Sequence, residues 1–488
     1  MRLFLNVASL LLAAPGAFGL IPLETKGARF IRPSTNANSE GTEFQILGID
    51  YQPGGSSAYG SDPDADVLTD GDACLRDAIV MQRLGINTIR VYTINPELDH
   101  DECMSIFNAA GIYVILDVNS PFENESIHRD DPEESYNSDY LTRIFKVVEN
   151  FKGYPNLAGF FAGNEVVNSE SSAEKSPPYI RAVQRDLKEY IAAHVNRTIP
   201  VGYSAADDIQ LREAMWAYLV CKGGDASSDI DDSVSDFYGI NSYQWCGDSS
   251  WTSSGYDVLN KTFYDTAVPM FFSEYGCNAE SPRIFTEVDD AVYSPDGLLP
   301  FFSGGLIYEY SNEDNNYGLV EINSNKTVTL LEDFINLQNA YNNVVLPNVS
   351  ESSIANVSFP ECDKDAIEAM YSGFDASFDL PACPDEDLIK SGVSPSHTGS
   401  IVSVTKTTLP YSVYGTAGNA IDATLTMLAD NQINSPSGVD DSSPSSTSTS
   451  TSQSTSRSAA APAAVPIMGL PMLVSTFVLV STLFIAIL

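Results

Sequence analysis

The sequence predicts an α/β protein built on a (β/α)8 TIM barrel. Short β-rich runs alternate with helical patterns eight times between Phe44 and Asn312, the pattern of a parallel sheet with crossover helices. The span of about 270 residues matches the usual size of such a barrel. A third observation argues against a doubly wound open sheet. Tyr51-Gln52-Pro53-Gly54-Gly55 follows the first strand where that fold carries its glycine-rich phosphate fingerprint.

The eight strands are expected at Phe44–Tyr51, Asn87–Thr93, Tyr113–Val118, Ala158–Gly163, Ile199–Tyr203, Phe237–Tyr243, Pro269–Ser273 and Gly304–Tyr310. Most are short apolar runs, as strands covered on both faces should be. Between them, Leu141, Ile144, Phe145, Val148 and Phe151 fall on one helical face, and Ile180, Val183, Leu187 and Tyr190 on another. These stripes are expected to be core. A closing helix is expected over Thr329–Tyr341, ending a catalytic barrel of residues 20–345.

Residues 346–393 are less periodic, carry Cys362 and Cys383, and are expected to pack back on the barrel. From about Ser394 the pattern fades, and Ser435–Ser458 is a Ser/Thr/Pro tract that cannot bury a core. Residues 394–458 are therefore expected to be a disordered, Ser/Thr-rich stalk. The two ends read as targeting segments. Residues 1–19 combine Arg2, an apolar run and small residues Ala17 and Gly19, as a secretory signal does. Small residues near Ser458, a short spacer and the apolar tail Ile467–Leu488 read as a glycosylphosphatidylinositol (GPI) signal, with residues 459–488 removed. The expected location is thus the outer face of the plasma membrane, held by the GPI lipid, or the cell wall.

Seven cysteines and six Asn-x-Ser/Thr sequons, at Asn124, Asn196, Asn260, Asn325, Asn348 and Asn356, agree with an oxidising, glycosylating route. Barrel adjacency suggests the pairs Cys74–Cys103 and Cys246–Cys277, since each pair follows neighbouring strands. Cys221 can then tie Cys362 to the barrel, which leaves Cys383 over, although spacing alone does not fix connectivity. Lys and Arg number 25 against 65 Asp and Glu, a formal net charge of −40. That charge disfavours nucleic acid and anionic lipid as partners and suits a neutral substrate.

Functional groups of barrel enzymes gather at the C-terminal ends of the strands. Two carboxylates stand there. The fourth strand delivers Asn164-Glu165 and the seventh delivers Glu274-Tyr275-Gly276, each after an apolar run. Opposed carboxylates across a barrel mouth suit glycosidic bond cleavage, which needs a proton donor and a nucleophile on either side of the anomeric carbon. The proton donor must hold its proton near neutral pH, so Glu165 is expected to have the higher pKa of the two. His100, His128, His194 and His397 are scattered, no metal or triad motif occurs, and no cofactor motif is found, so the carboxylates are expected to act unaided.

The chain resembles fungal glycoside hydrolase family 72, the GPI-anchored β-1,3-glucanosyltransferases of the cell wall. The motifs run in order: Gly48-Ile49-Asp50-Tyr51-Gln52-Pro53-Gly54-Gly55, Asn87-Thr88-Ile89-Arg90-Val91-Tyr92, Gly163-Asn164-Glu165-Val166, Gly239-Ile240-Asn241-Ser242-Tyr243-Gln244-Trp245-Cys246, Ser273-Glu274-Tyr275-Gly276-Cys277, and Ser303-Gly304-Gly305 leading to Tyr308-Glu309-Tyr310. The resemblance covers about Ile21–Cys383 and implies a form without the family's cysteine-rich carbohydrate-binding module, since only Cys362 and Cys383 follow residue 277. It implies a retaining enzyme that cuts an internal β-1,3-glucan linkage and joins the new reducing end to the non-reducing end of another chain. Glu165 is then the acid/base, Glu274 the nucleophile, and Asn164 the donor to the sugar 2-hydroxyl. Tyr243 touches the nucleophile, and Gln52, Tyr92, Asp117 and Tyr308 are pocket residues, with Tyr310 an alternative to Tyr308. Tyr243 and Trp245 are candidate stacking platforms. The competing readings are a hydrolytic endo-β-1,3-glucanase, separated by product length, and a glucan-binding surface protein without turnover.

Overall fold

A computed structural model describes residues 19–36, 38–55, 58–59 and 66–436. The expected signal segment before Gly19, the Ser/Thr/Pro tract beyond Pro436, the attachment point near Ser458 and the apolar tail lie outside the described residues. Among the described residues no helix is long and apolar enough to cross a membrane.

Eight parallel strands close into a barrel in sequence order. They are β1 (Ile46–Asp50), β2 (Thr88–Val91), β3 (Tyr113–Asp117), β4 (Leu157–Asn164), β5 (Val201–Ala206), β6 (Tyr238–Ser242), β7 (Met270–Tyr275) and β8 (Gly304–Ile307). Pairing of β8 with β1, Gly304 opposite Ile46, completes the ring. All eight expected strands are present, with ends that differ from the expected ones by up to three residues. Phe44 belongs to a separate strand, Thr42–Phe44, and β8 ends at Ile307, before a cis Tyr308–Glu309 peptide.

The helical stripes are core as expected: Leu141, Ile144, Phe145, Val148 and Phe151 are all fully buried. Helix α1 (Gly71–Leu84) shows how local chemistry sets the ends. Asp70 accepts from the amides of Asp72 and Ala73, and Gly85 closes the helix at φ 87°, a left-handed value that glycine adopts freely. At the other pole of the barrel, an antiparallel sheet of Glu24–Lys26, Arg29–Arg32 and Thr42–Phe44 covers the N-terminal strand ends. Its Phe30 packs against Phe237 and Phe271 in a cluster with Phe44, Ile46, Phe161 and Leu306. This apolar plug leaves the opposite mouth as the polar end. The expected closing helix is shorter, Glu332–Tyr341, because Val328–Leu330 pairs with Val320–Ile322 as a strand.

Disulfides join Cys74 to Cys103, Cys221 to Cys362 and Cys246 to Cys277, and Cys383 is free. Residues 346–393 lie on the barrel: Tyr218 packs against Phe374 and Phe378, and Ile367 and Ile389 are buried. The expectation that the chain loses structure at Ser394 is corrected. Residues 394–436 form an extended strap whose backbone is bound along the outside of the barrel. Ser400 N–H donates to Asp101 (2.7 Å), Val402 N–H to Ser105 (2.9 Å), and Thr426 N–H to Gln82 (2.9 Å). Val413 pairs with Val328 in a small four-stranded sheet. Asn434 donates from its amide to the Ile86 carbonyl at 2.7 Å.

Of the six sequon asparagines, Asn124, Asn196, Asn325, Asn348 and Asn356 are exposed. Asn260 is half-buried on the helix Tyr256–Phe263, and among the described residues its buried side-chain oxygen has no partner.

Candidate active site

The mouth of the barrel is built from strand ends. β4 carries Asn164, and Glu165 follows it with φ 47°, a left-handed value uncommon for a residue with a side chain. The Glu165 amide is held by the Ser204 carbonyl of β5 at 2.9 Å, which fixes this turn. Its carboxylate accepts from Asn241 Nδ2 at 2.9 Å, and the same nitrogen donates to Asn164 Oδ1 at 3.1 Å. Asn164 Oδ1 also accepts from Ser204 Oγ (2.8 Å), so among the described residues its Nδ2 is the group left for a ligand. Asn241 is oriented in turn by Ser273 Oγ, which donates to its Oδ1 at 2.8 Å. A Cβ on Gly239 would lie 2.6 Å from that hydroxyl, which is why glycine stands there.

Glu274 lies deeper, 8 % exposed on β7. Its Oε1 accepts from Tyr92 OH (2.9 Å) and Arg90 Nη1 (3.2 Å), and its Oε2 accepts from Tyr243 OH (2.7 Å). Burial pushes the Glu274 carboxyl up to about 7, with Arg90, Tyr243 and Tyr92 pulling it back and the charge of Glu165 adding to the rise. Glu274 is thus a carboxyl raised by its own desolvation.

Arg90 and Asn241 stand inside sequence motifs, but only the structure gives either a role. Arg90 is fully buried and donates to both oxygens of Asp117, at 3.2 and 2.9 Å, besides Glu274. Its guanidinium lies 4.2 Å from the Tyr92 ring centre and 4.6 Å from that of Phe161. A charged residue inside the apolar run Thr88–Val91 was the available signal.

The remaining expected residues divide. Tyr92, Tyr243 and Tyr308 form an aromatic wall with Tyr317, the ring centres of Tyr308 and Tyr317 lying 5.2 Å apart. Tyr308 rather than Tyr310 faces the site, since Tyr310 is buried with its hydroxyl on Asp77 at 2.6 Å. Gln52 accepts from the amides of Tyr92 (3.2 Å) and Thr93 (3.1 Å), shaping the loop after β2. Asp117 has both oxygens on Arg90. Trp245 is not a platform: it is buried, with Nε1 donating to Thr286 at 2.9 Å. Tyr317, unremarked in the sequence, takes that place beside Tyr243 at 5.5 Å.

Two glutamates stand at the ends of β4 and β7, with two tyrosines and an arginine on the deeper one, an arrangement of the kind that glycosyl transfer through carboxylates requires. The family model for glucanosyltransferases, glycoside hydrolase family 72, matches residues 17–345. The chain belongs to this family. It is 49 % identical over 443 residues to the probable 1,3-beta-glucanosyltransferase GAS3 of Saccharomyces cerevisiae, covering 87 % of this chain and 84 % of that protein. It is 48 % identical over 440 residues to the 1,3-beta-glucanosyltransferase gel2 of Aspergillus fumigatus, covering 89 % and 88 %. Among solved structures, Saccharomyces cerevisiae Gas2p in complex with laminaritriose and laminaritetraose superposes with a TM-score of 0.64 at 37 % identity, over 75 % of this chain and 78 % of that one. This glucanosyltransferase therefore shares its fold with a relative that holds laminarin oligosaccharides.

Proposed function

We propose that the protein is a retaining β-1,3-glucanosyltransferase that cleaves an internal linkage of one β-1,3-glucan and passes the new reducing end to the non-reducing end of another. The observation that carries this reading is the pair of glutamates with different surroundings. Glu274 is buried and gripped by Arg90, Tyr92 and Tyr243, as a nucleophile that must be aimed should be. Glu165 is half-exposed on Asn241, where it can meet a leaving or entering hydroxyl. The names of the relatives and the laminarin oligosaccharides bound by Gas2p support the substrate class.

In the first step Glu274 attacks the anomeric carbon and Glu165 gives its proton to the leaving oxygen. In the second, Glu165 takes the proton of the acceptor hydroxyl as that oxygen displaces Glu274. The charge of Glu165 is one of the causes that raise Glu274. As the ester forms, Arg90 and Tyr92 lose the charge they were holding. They regain it as the ester breaks, which favours transfer onward. Asn164 Nδ2 supplies the donor to the sugar 2-hydroxyl, and the tyrosine wall supplies stacking surface. Asp117 serves by fixing Arg90, and Gln52 by fixing the backbone of Tyr92.

Incubation with a reduced β-1,3-gluco-oligosaccharide tests the reading. Products both longer and shorter than the substrate, lost in Glu165→Gln and Glu274→Gln, are expected. Shorter products alone would make the enzyme a hydrolase, and binding without turnover would make it a glucan-binding protein. The reading extends to a GPI-anchored enzyme at the outer face of the plasma membrane, for which release of activity from membranes by a phosphatidylinositol-specific phospholipase is the check.

A further inference from the structure

Tyr243 carries its hydroxyl to Glu274 Oε2 at 2.7 Å, yet it stands one residue past the end of β6. The side chains on either side of it share one anchor. Asp207, the first residue after β5, accepts at Oδ2 from Ser242 Oγ (2.7 Å) and from Gln244 Nε2. Its Oδ1 accepts from Arg212 Nη1 at 2.6 Å, on the helix Arg212–Leu219. Both side chains of this ion pair are 5 % exposed. Hydrogen bonds to a charged group are the stronger ones, and here water has little access to compete for them. Gln244 is also confined from behind, since a Cβ on Gly255 would lie 2.6 Å from its Oε1. Besides Arg212, the titratable groups facing Asp207 are the buried Tyr238 and Tyr256.

In an extended chain successive side chains point to opposite sides. A grip on positions 242 and 244 together therefore turns position 243 the other way, toward the mouth. Asn241, two residues earlier, has its own supports in the Ser204 and Ser273 hydroxyls, at 3.1 and 2.8 Å. Tyr243 lies beyond them. We propose that Asp207 is a positioning residue for the transfer reaction: by holding Ser242 and Gln244 it aims the Tyr243 hydroxyl at the nucleophile. Its influence on Glu274 passes through Tyr243 alone. There Tyr243 works with Arg90 and Tyr92 to favour the ionised carboxylate, against burial and the neighbouring carboxyls of Glu165, Asp50 and Glu309. The inference rests on Glu274 being the nucleophile.

Asp207→Ala removes the anchor. Ser242→Ala combined with Gln244→Met removes the same two bonds from the strand side and leaves the Asp207–Arg212 pair in place, so it decides the matter if Asp207→Ala does not fold. On the oligosaccharide both variants should lower kcat roughly tenfold, by no more than Tyr243→Phe does. Both should also move the acid limb of kcat/KM to higher pH, the direction in which losing the Tyr243 hydrogen bond moves it. In a Tyr243→Phe background neither should add a further loss. An acid limb that stays in place in a variant with native-like melting would overturn the proposal. So would losses that multiply with that of Tyr243→Phe, which would reduce Asp207 to a structural ion pair. If Glu274→Gln retained transfer while the Asp207 and Tyr243 losses still failed to multiply, the assignment of the nucleophile would fail rather than the link from Asp207 to Tyr243.

Discussion

Tyr243 shows what a single hydroxyl does at this site. It donates to Glu274 Oε2 at 2.7 Å and stabilises the ionised form that burial opposes. Tyr243→Phe removes that donor, so the carboxyl should climb further and the acid limb of kcat/KM should move to higher pH. The kcat should drop roughly tenfold or more. A pH–rate profile of the variant checks both. The pair Asn164-Glu165 and the residue Glu274 were legible in the sequence because each ends an apolar run. The roles of Asn241, Ser204 and Ser273 were not. Their hydrogen bonds link four strands, β4 to β7, and each is an ordinary polar residue when read along the chain.

Among the elements, the turn of π-helix Val288–Val292 follows another buried carboxyl. Glu287 is 3 % exposed, and burial pushes it up to about 7 from an ordinary 4.5, with only partial relief from Arg283. A carboxyl raised by folding favours the native state at low pH and loses that favour as pH climbs through the folded value. Glu287→Gln should therefore match wild type at about pH 4 and exceed it above about pH 7, by on the order of 1–3 kcal/mol. Thermal melts at the two pH values decide this. The strands were readable at this scale, since fully buried parallel strands leave short apolar runs. The ends of β1 and β8 were misplaced by a few residues. Phe44 looks like β1 by composition but packs with Phe30 in the sheet that covers the other pole, and Tyr308 continues β8 in sequence while turning into the aromatic wall.

Across the whole molecule, the strap 394–436 binds the outer helices through main-chain donors to Asp101, Ser105 and Gln82. A chain ended after Val393 should melt several degrees below the chain ended after Pro436, and proteases should cut it sooner. Equal melting of the two would show that the strap adds nothing. Exposure also sorts the sequons. Glycopeptide mapping should find sugar at Asn124, Asn196, Asn325, Asn348 or Asn356 and none at Asn260, whose amide oxygen is enclosed. The strap escaped the sequence reading because backbone groups bound to side chains elsewhere leave no periodicity, and a Ser/Thr-rich composition is shared by bound and unbound segments.

The sequence by itself determined the eight-round barrel, the two glutamates at strand ends and the cysteines that lie close once the barrel closes. All of these follow from local period and from the order of strands. The tertiary structure decided that Glu274 is driven up, which partners Arg90 serves, that Tyr308 and not Tyr310 faces the mouth, and that residues 394–436 are bound to the barrel. Those outcomes depend on desolvation and on neighbours far away in sequence. Glu274 is desolvated by strands that meet only when the ring is shut, and its donors come from β2 and from the loop after β6.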